Sequence, residues 1–498
     1  MGIYPIISHY CNFVSYHIDM DTIFSDFEVP QPTQWWEDVK KSLGTEDSVS
    51  SLITHTPEDI DIQPIYTQKQ AQQDATIPSN LSQALIYQPV YADNAIAANQ
   101  TLLDALSQGA NSAWITGSTL PDIDDWQQLM QRVSLDTFAP AFDMGESNPS
   151  LLFQLINHYQ QVGIDENKRA GSVWFSPLST ALATGHIDYP RLSSESFYRS
   201  IFDETQTHLS GYRIIHALPF RLREAGGNAV QEIALGLSEL AAYLDWFTDW
   251  GYTPQSIVSR MQLVFGIGSD YFMEIAKIRA GRVLLSRLVQ AWDDAAGNIP
   301  VFSLSLLRNK SMFDIHTNIL RSANEALSAM IGGCDALCIR PYNETQKIPD
   351  DHALRLSRNI PLLLRHEAYA DFVTDPAAGS FYLNELTEQL IEKSWKLFLD
   401  IESVGGYEQA MTTGKIQSII SANDKKEKEA FQKGQKIVVG TNKYPIKDEI
   451  IDPNTTPIST NIFVHSSTDF EPLKPERLSQ KLDELRVQKQ ISHNEKNA

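Results

Sequence analysis

Glu224 sits in the stretch LPFRLREAGGNAVQEIALGLSE, residues 218–239, where a strand-like end, a glycine pair and a helical pattern follow one another. A carboxylate on such a turn is placed to move a proton or to orient a polar substrate. Arg221 and Arg223 flank it, where a histidine would have supplied the acid. Arginine donates hydrogen bonds and keeps its charge, but it does not release a proton near neutral pH. The turn reads either as a working site or as the remains of one. His216, five residues before Arg221 on the same strand, is a replacement acid or a histidine of the core or rim. His366 and Glu367 in HEAYADF are both titratable, but helix neighbours diverge by about 100°. Arg340 and Glu344 in RPYNE make a site or a structural ion pair. GIGSDY, residues 266–271, has the strand–Gly–helix shape that receives an anion, or is only a tight turn.

Other catalytic signatures are absent. There is no Gly-x4-Gly-Lys-Ser/Thr loop, no Gly-x-Gly-x-x-Gly after a first strand, no His-Glu-x-x-His and no Gly-x-Ser-x-Gly. Cys334 and Cys338 in GGCDALCIRPY have no His or Cys cluster beside them, so no metal site is expected and buried thiols are. Three cysteines make no disulfide framework, which fits a reducing, cytoplasmic setting. A net charge of −22 opposes nucleic acid and anionic membranes as main partners. No apolar run approaches the ~20 residues of a membrane span.

The elements that must carry these residues alternate. From about residue 110 onward NSAWITG, VSLDTFA, GSVWFSPL and YRIIHALP read as four strands, and SRMQLVFGIG, VFSLSLL, DALCIRP and a weaker DFVTDPAAGSFY as four more. Helices with apolar residues at 3.6 spacing lie between them. One runs from the Ser-Asp pair at 269–270 toward Gly297, and another stops at Gly332-Gly333. Eight β–α repeats predict a (β/α)8 TIM barrel, though a doubly wound open sheet satisfies the same pattern. In a barrel the site lies at the strands' C-terminal ends, and Glu224 falls there, just after the fourth predicted strand.

The flanks differ in character. Residues 1–25 read as a disordered or misannotated start, since MDTIFSDFEVPQP from Met20 looks more like a beginning. Residues 26–75 form an extended arm with one helix around WWEDVKKSL, residues 76–445 the barrel, and residues 446–498 a C-terminal extension. Residues 422–438, ANDKKEKEAFQKGQKIV, are expected to be a solvated helical face of mixed charge. The last stretch reads as a polar helix fraying into a tail.

Several blocks resemble the barrel domain of the methylmalonyl-CoA mutase family. YFMEIAKIRAGRVLLSRLVQAW (271–292) is similar to its F-F-x-E-I-A-K-x-R-A-x-R helix. NILRSANEALSAMIGGCDALCIRPYNE (318–344) resembles the next repeat, and LSRNIPLLLRHEAYADFVTDPAAGSFYLNELTEQL (356–390) the A-R-N…D-P-x-x-G-S block. FQKGQKIVVGTNKY (431–444) resembles the block that closes the barrel. The resemblance covers about residues 26–485. It implies an isomerase of propionate metabolism in which an adenosylcobalamin-derived radical interconverts succinyl-CoA and (R)-methylmalonyl-CoA. It also implies acyl-CoA threading the barrel and a cobalamin domain capping the strands' C-terminal ends.

Three departures change that expectation. The family's His-x-Gln-Glu-Ala-Gly-Ala turn matches RLREAGG, which puts Arg221 at the histidine position and keeps Glu224, Ala225 and Gly226. The R-P-W-T-x-R-Q-Y-A-G-F segment that faces CoA has no counterpart. A cobalamin domain with its Asp-x-His-x-x-Gly loop is missing, and residues 446–498 resemble a remnant of the linker to one. Losing substrate contacts removes the binding energy that positions reacting atoms. No catalytic residue is therefore expected, and Arg221, Glu224, His216 and Glu367 stand as members of a degenerate site. No confident cofactor contact is expected either, adenosylcobalamin being bound by a partner chain. The arm resembles that of the family's small (beta) subunit, which implies a heterodimer with a large catalytic subunit and makes Trp35 and Trp36 the interface anchors, the alternative being an arm packed on its own barrel. The rival expectation is an acyl-CoA-binding catalytic barrel whose cobalamin domain is on a separate chain.

Overall fold

The computed structural model describes residues 32–44, 50–67, 83–117, 123–143, 150–188, 190–191, 193–346, 349–447, 449–451, 455 and 468–497. The expected lead over residues 1–25 lies outside them. Two compact units emerge, Met1–His55 with Asp61–Thr67, and Thr56–Ile60 with Gln68–Ala498. The first holds helix α1 (Pro32–Leu43), none of whose residues is buried, and a two-residue antiparallel ladder between Thr54–His55 and Asp61–Ile62.

The second unit is a ring of parallel strands: β1 (Leu85–Tyr91), β2 (Ser112–Thr116), β3 (Ala141–Asp143), β4 (Ala170–Trp174), β5 (Gly211–Arg213, resumed as Ile215–Ala217), β6 (Met261–Ile267), β7 (Val301–Ser305) and β8 (Ala336–Cys338). The first half of β5 pairs with β4 and the second half with β6. β1 pairs with β8, Leu85 opposite Ala336. The break at Ile214 is where the ring changes neighbours: the N–H groups of Ile214 and Ile215 both donate to the Arg260 carbonyl, at 2.9 and 3.0 Å. Two donors on one acceptor is what an inserted residue does to a ladder. The result is a (β/α)8 barrel, as expected.

The register of that expectation shifts by one repeat. The ring starts with β1 in LIYQPVY, where Pro89 argues against a central strand. VSLDTFA is a turn instead: Ser134 donates to Asp136, and the Thr137 N–H to the Ser134 carbonyl. Short polar side chains that bond the local backbone favour turns over ladders. DFVTDPAAGSFY is likewise no strand, because Asp375 takes a positive φ of 48° and Ser380 caps the next helix. The turn carrying Glu224 therefore follows the fifth strand, not the fourth.

Helices α2 (Phe220–Glu224), α3 (Ala229–Asp249), α4 (Tyr271–Trp292), α5 (Thr317–Gly332), α6 (Asp351–His366), α7 (Phe381–Glu402) and α8 (Lys415–Gln432) follow the later strands. Asn228 and Gln231 form a reciprocal capping box on α3. Asp270 caps α4, and Gly333, left-handed at φ 80°, ends α5 at the expected glycine pair. Packing of α7 along α3 and α4 makes a further layer outside the ring.

α8 corrects another expectation. It starts at Lys415, and its face is not solvated throughout: Asn423 is buried, and the Asp424 and Glu427 side chains are mostly so. The segment before the last helix is anchored, with Phe470 and Leu478 buried.

Candidate functional site

Glu224 ends α2 with its carboxylate fully committed. Oε1 accepts the Leu307 N–H at 2.8 Å and Oε2 the Arg308 N–H at 2.9 Å, on the turn after β7. Arg340, at the end of β8, lies 3.4 Å from Oε1 and also grips Glu344 through Nε at 3.1 and 3.0 Å. All three side chains are buried. Burial raises the Glu224 pKa, opposed by Arg340 and by the two N–H groups. The RPYNE ion pair thus extends to Glu224, and the trio joins the turns after β5, β7 and β8.

Arg221 shares α2 but points elsewhere, donating to Thr180 Oγ1 at 3.3 Å and lying half-buried. His216 lies inside the ring, with Nε2 at 3.2 Å from Gln262 Oε1. Burial pushes its pKa down to about 3, so the ring stays neutral. Glu367 is exposed where α6 ends, beside Arg365, which reaches the Ala84 carbonyl at the start of β1. That is the opposite end of the barrel from Glu224. Of the four candidates only Arg221 and Glu224 share an element, and their side chains diverge.

The barrel axis is filled. Trp174 stands 5.1 Å from Phe302, 5.8 Å from Trp114, 6.2 Å from Phe220 and 6.3 Å from His216, ring centre to ring centre. Tyr87 meets Phe302 at 5.0 Å. Apart from His216, these rings are buried together with Leu304 and Leu306 as one apolar cluster. Trp114 and Trp174 were legible as one inward aromatic on each of two strands, a signal the motif reading passed over. Cys338 belongs to the same cluster, and burial pushes the Cys334 thiol up to about 12, so both are inert thiols. Among the described residues no group of acids, histidines and cysteines is arranged to hold a metal ion.

The glycine turn GIGSDY receives the chain's own carboxylates. Glu232 Oε1 accepts the Gly266 N–H at 2.6 Å, and Asp270 caps α4. Lys277, buried completely, bonds the Gly266 carbonyl and pairs with Glu232 at 2.7 Å and with Glu274. Arg223 completes the set, 2.9 Å from Glu274 and 3.4 Å from Glu232. Two cations and two carboxylates cancel out of water, at the joint of β6, α3 and α4. The E-I-A-K-x-R-A-x-R block is therefore an inventory of staples. Arg279 binds Asp375 through two 3.0 Å bonds, and Arg282 pairs with Asp335 at 2.8 Å.

Glu239 on α3 escaped notice in the sequence. Its carboxylate accepts from Ser176 Oγ at 2.5 Å, Ser179 Oγ at 2.8 Å and the Leu218 N–H at 3.3 Å, and no cation pairs with it among the described residues. Burial, opposed by these bonds, pushes it up to about 7. Such a carboxyl stays protonated in the fold at pH values where the unfolded chain ionises it. Its contribution to stability is full below the ordinary 4.5 and is lost as pH rises through about 7. Glu239→Gln is expected to remove about 3 kcal/mol of the fall in unfolding free energy between about pH 5 and about pH 8. Urea titrations of parent and variant at both pH values measure it; parallel pH profiles would refute the assignment.

At the other end of the barrel Arg260 is 2% exposed. Its Nη1 bonds the Leu209 carbonyl, while Nε and Nη2 have no partner. Arg213 donates to the carbonyls on either side, Ser259 at 3.0 Å and Met261 at 2.9 Å. Neither arginine has a carboxylate partner among the described residues.

In the first unit Trp35 and Trp36 are half-buried and meet edge to face at 5.0 Å. No helix among the described residues is long and apolar enough to cross a membrane.

Comparison with known proteins adds the following. The family model for methylmalonyl-CoA mutase matches residues 105–494. The methylmalonyl-CoA mutase small subunit of Porphyromonas gingivalis is 30% identical over 94% of this chain and 78% of its own. The small subunit from Streptomyces virginiae is 27% identical over 70% of this chain and 57% of its own. The large subunit from the same organism is 26% identical over 84% and 63% respectively. Against both Streptomyces proteins the match spans less than two thirds of the relative's length.

Proposed function

Since this chain belongs to the methylmalonyl-CoA mutase family, we propose that it is a small, non-catalytic subunit that pairs with and stabilises a large catalytic chain. The complex would interconvert succinyl-CoA and (R)-methylmalonyl-CoA in the cytoplasm, with adenosylcobalamin on the large chain. The observation that carries this reading is the filled axis. Substrate threaded through the ring would have to displace Trp174, Trp114 and Phe302, which pack on one another. Glu224 supports it too, since its carboxylate is spent on two N–H groups and Arg340. The residues at the C-terminal mouth do not fit adenosylcobalamin: three of the turns that would face it, those after β4, β5 and β7, are hydrogen-bonded to residues 469–478. No step of the reaction is assigned to this chain.

The rival, an acyl-CoA-binding barrel served by a separate cobalamin chain, has one observation in its favour. The Nε–Nη2 edge of Arg260 is the fork that takes phosphate or carboxylate side-on, and it is buried without a partner. One pair of titrations separates the readings. The isolated chain is expected to give no binding heat with succinyl-CoA up to about 1 mM, and to co-elute about 1:1 with a large mutase chain, turnover appearing only there. Micromolar acyl-CoA affinity abolished by Arg260→Met would overturn the subunit reading in favour of the rival.

A further inference from the structure

Residues 468–483 make backbone hydrogen bonds to the turns that follow three different strands. The Asp469 and Phe470 N–H groups donate to the Gly185 carbonyl at 2.8 and 3.4 Å, and the Leu473 N–H to Leu182 at 2.9 Å, beyond β4. The Glu476 N–H donates to the Glu224 carbonyl at 3.0 Å beyond β5, and the Leu478 N–H to the Arg308 carbonyl at 2.8 Å beyond β7. Helix α8 lies against the same turns. Asn423 Nδ2 donates to the Gly226 carbonyl at 2.7 Å. A Cβ on Gly226 would sit 2.5 Å from the Asp424 Cβ, so this glycine is required by α8 as well as by its own φ of 103°.

One buried arginine ties the layers together. Arg308 holds Glu427 at 2.8 and 2.6 Å and Asp424 at 2.6 Å, both on α8, and donates to the Glu476 carbonyl at 2.9 Å. Lys428 bridges Asp424 at 2.7 Å and Glu476 at 2.5 Å, and Lys436 pairs with Glu427. Three cations face three carboxylates, so the cluster carries no net charge to draw in an outside ion. Anything docking on these turns would have to replace four or more backbone bonds and this cluster together.

We infer that residues 468–483 with α8 form a fixed strap that closes the C-terminal face of the barrel, so that this face receives no cobalamin-carrying domain and the catalytic chain docks elsewhere. The second clause rests on the subunit reading; the closure itself does not. It is a disagreement between this chain and its family's cofactor, written in hydrogen bonds.

Hydrogen exchange on the full chain tests it in three states: alone, with adenosylcobalamin, and with a large mutase chain. The Glu476 and Leu478 amides are expected to exchange at least about 100-fold slower than a free peptide in all three states. Arg308→Met is expected to speed them about tenfold while the β6 and β7 amides stay unchanged. Lys428→Met, at the partly exposed edge of the cluster, serves the same purpose if the first variant does not fold. Free-peptide rates in the isolated chain would overturn the closure. Loss of protection on adding the large chain or the cofactor would overturn the exclusion while leaving pairing intact. If the chains do not associate, the isolated state and the variants still read the strap.

Discussion

Glu224→Ala is expected to destabilise the barrel by about 3–5 kcal/mol, the largest loss for a single side chain at the mouth. The carboxylate accepts the Leu307 and Arg308 N–H groups, and both are left without a partner when it goes. Arg340 keeps Glu344 but loses its second acid in a buried setting. Gln in the same place keeps one acceptor, and its amide N–H then meets another donor, so Glu224→Gln is expected to recover less than half of the loss. A cycle with Arg340→Met should give a coupling of about 1–3 kcal/mol. Urea denaturation of the isolated chain reads the loss. Turnover per folded complex with a large chain is expected to be unchanged. A variant that keeps its urea midpoint and slows turnover would make Glu224 a proton carrier instead of a staple.

Trp174→Ala is the second, at about 3–5 kcal/mol, because neighbours on a closed ring of strands collapse only partly into the space left. Phe302, Trp114 and Phe220 each lose a ring contact. A dry apolar cavity takes small aromatic molecules, so added indole is expected to restore part of the lost thermal midpoint. Succinyl-CoA is expected not to, since Phe302 and Trp114 still block the axis. A loss under about 1 kcal/mol, or rescue by the acyl-CoA, would mean that the axis is open enough to serve as a channel.

Much of the barrel could be read from the sequence because its signals are local. Gly333 must end α5, Asp270 must cap α4, and β-branched runs must be strands buried on both faces. The errors came where local chemistry and tertiary demand part. Pro89 concealed β1, since a missing N–H normally forbids a central strand, yet this one is held in place by β2 and β8. VSLDTFA has strand-like side chains, but Ser134 and Asp136 close a turn first.

The site was legible as a position but not as an arrangement. RLREAGG announced the turn, and the charge of Arg221 announced that the turn had changed. That Glu224 is tied to a turn 83 residues onward is a long-range fact no spacing reports. The charged helix α8 conceals its role for the same reason. Mixed signs look solvated until an Arg308 from another element meets them.

The filled axis also has a consequence for how the chain endures when substrate is scarce. A barrel that holds its ligand along the axis is stabilised by mass action, and its folded fraction follows the supply of that ligand. Here the occupant is covalently part of the chain, at an effective concentration that never varies. The unfolding midpoint of this chain should be indifferent to acyl-CoA, and its abundance should persist through starvation for substrate.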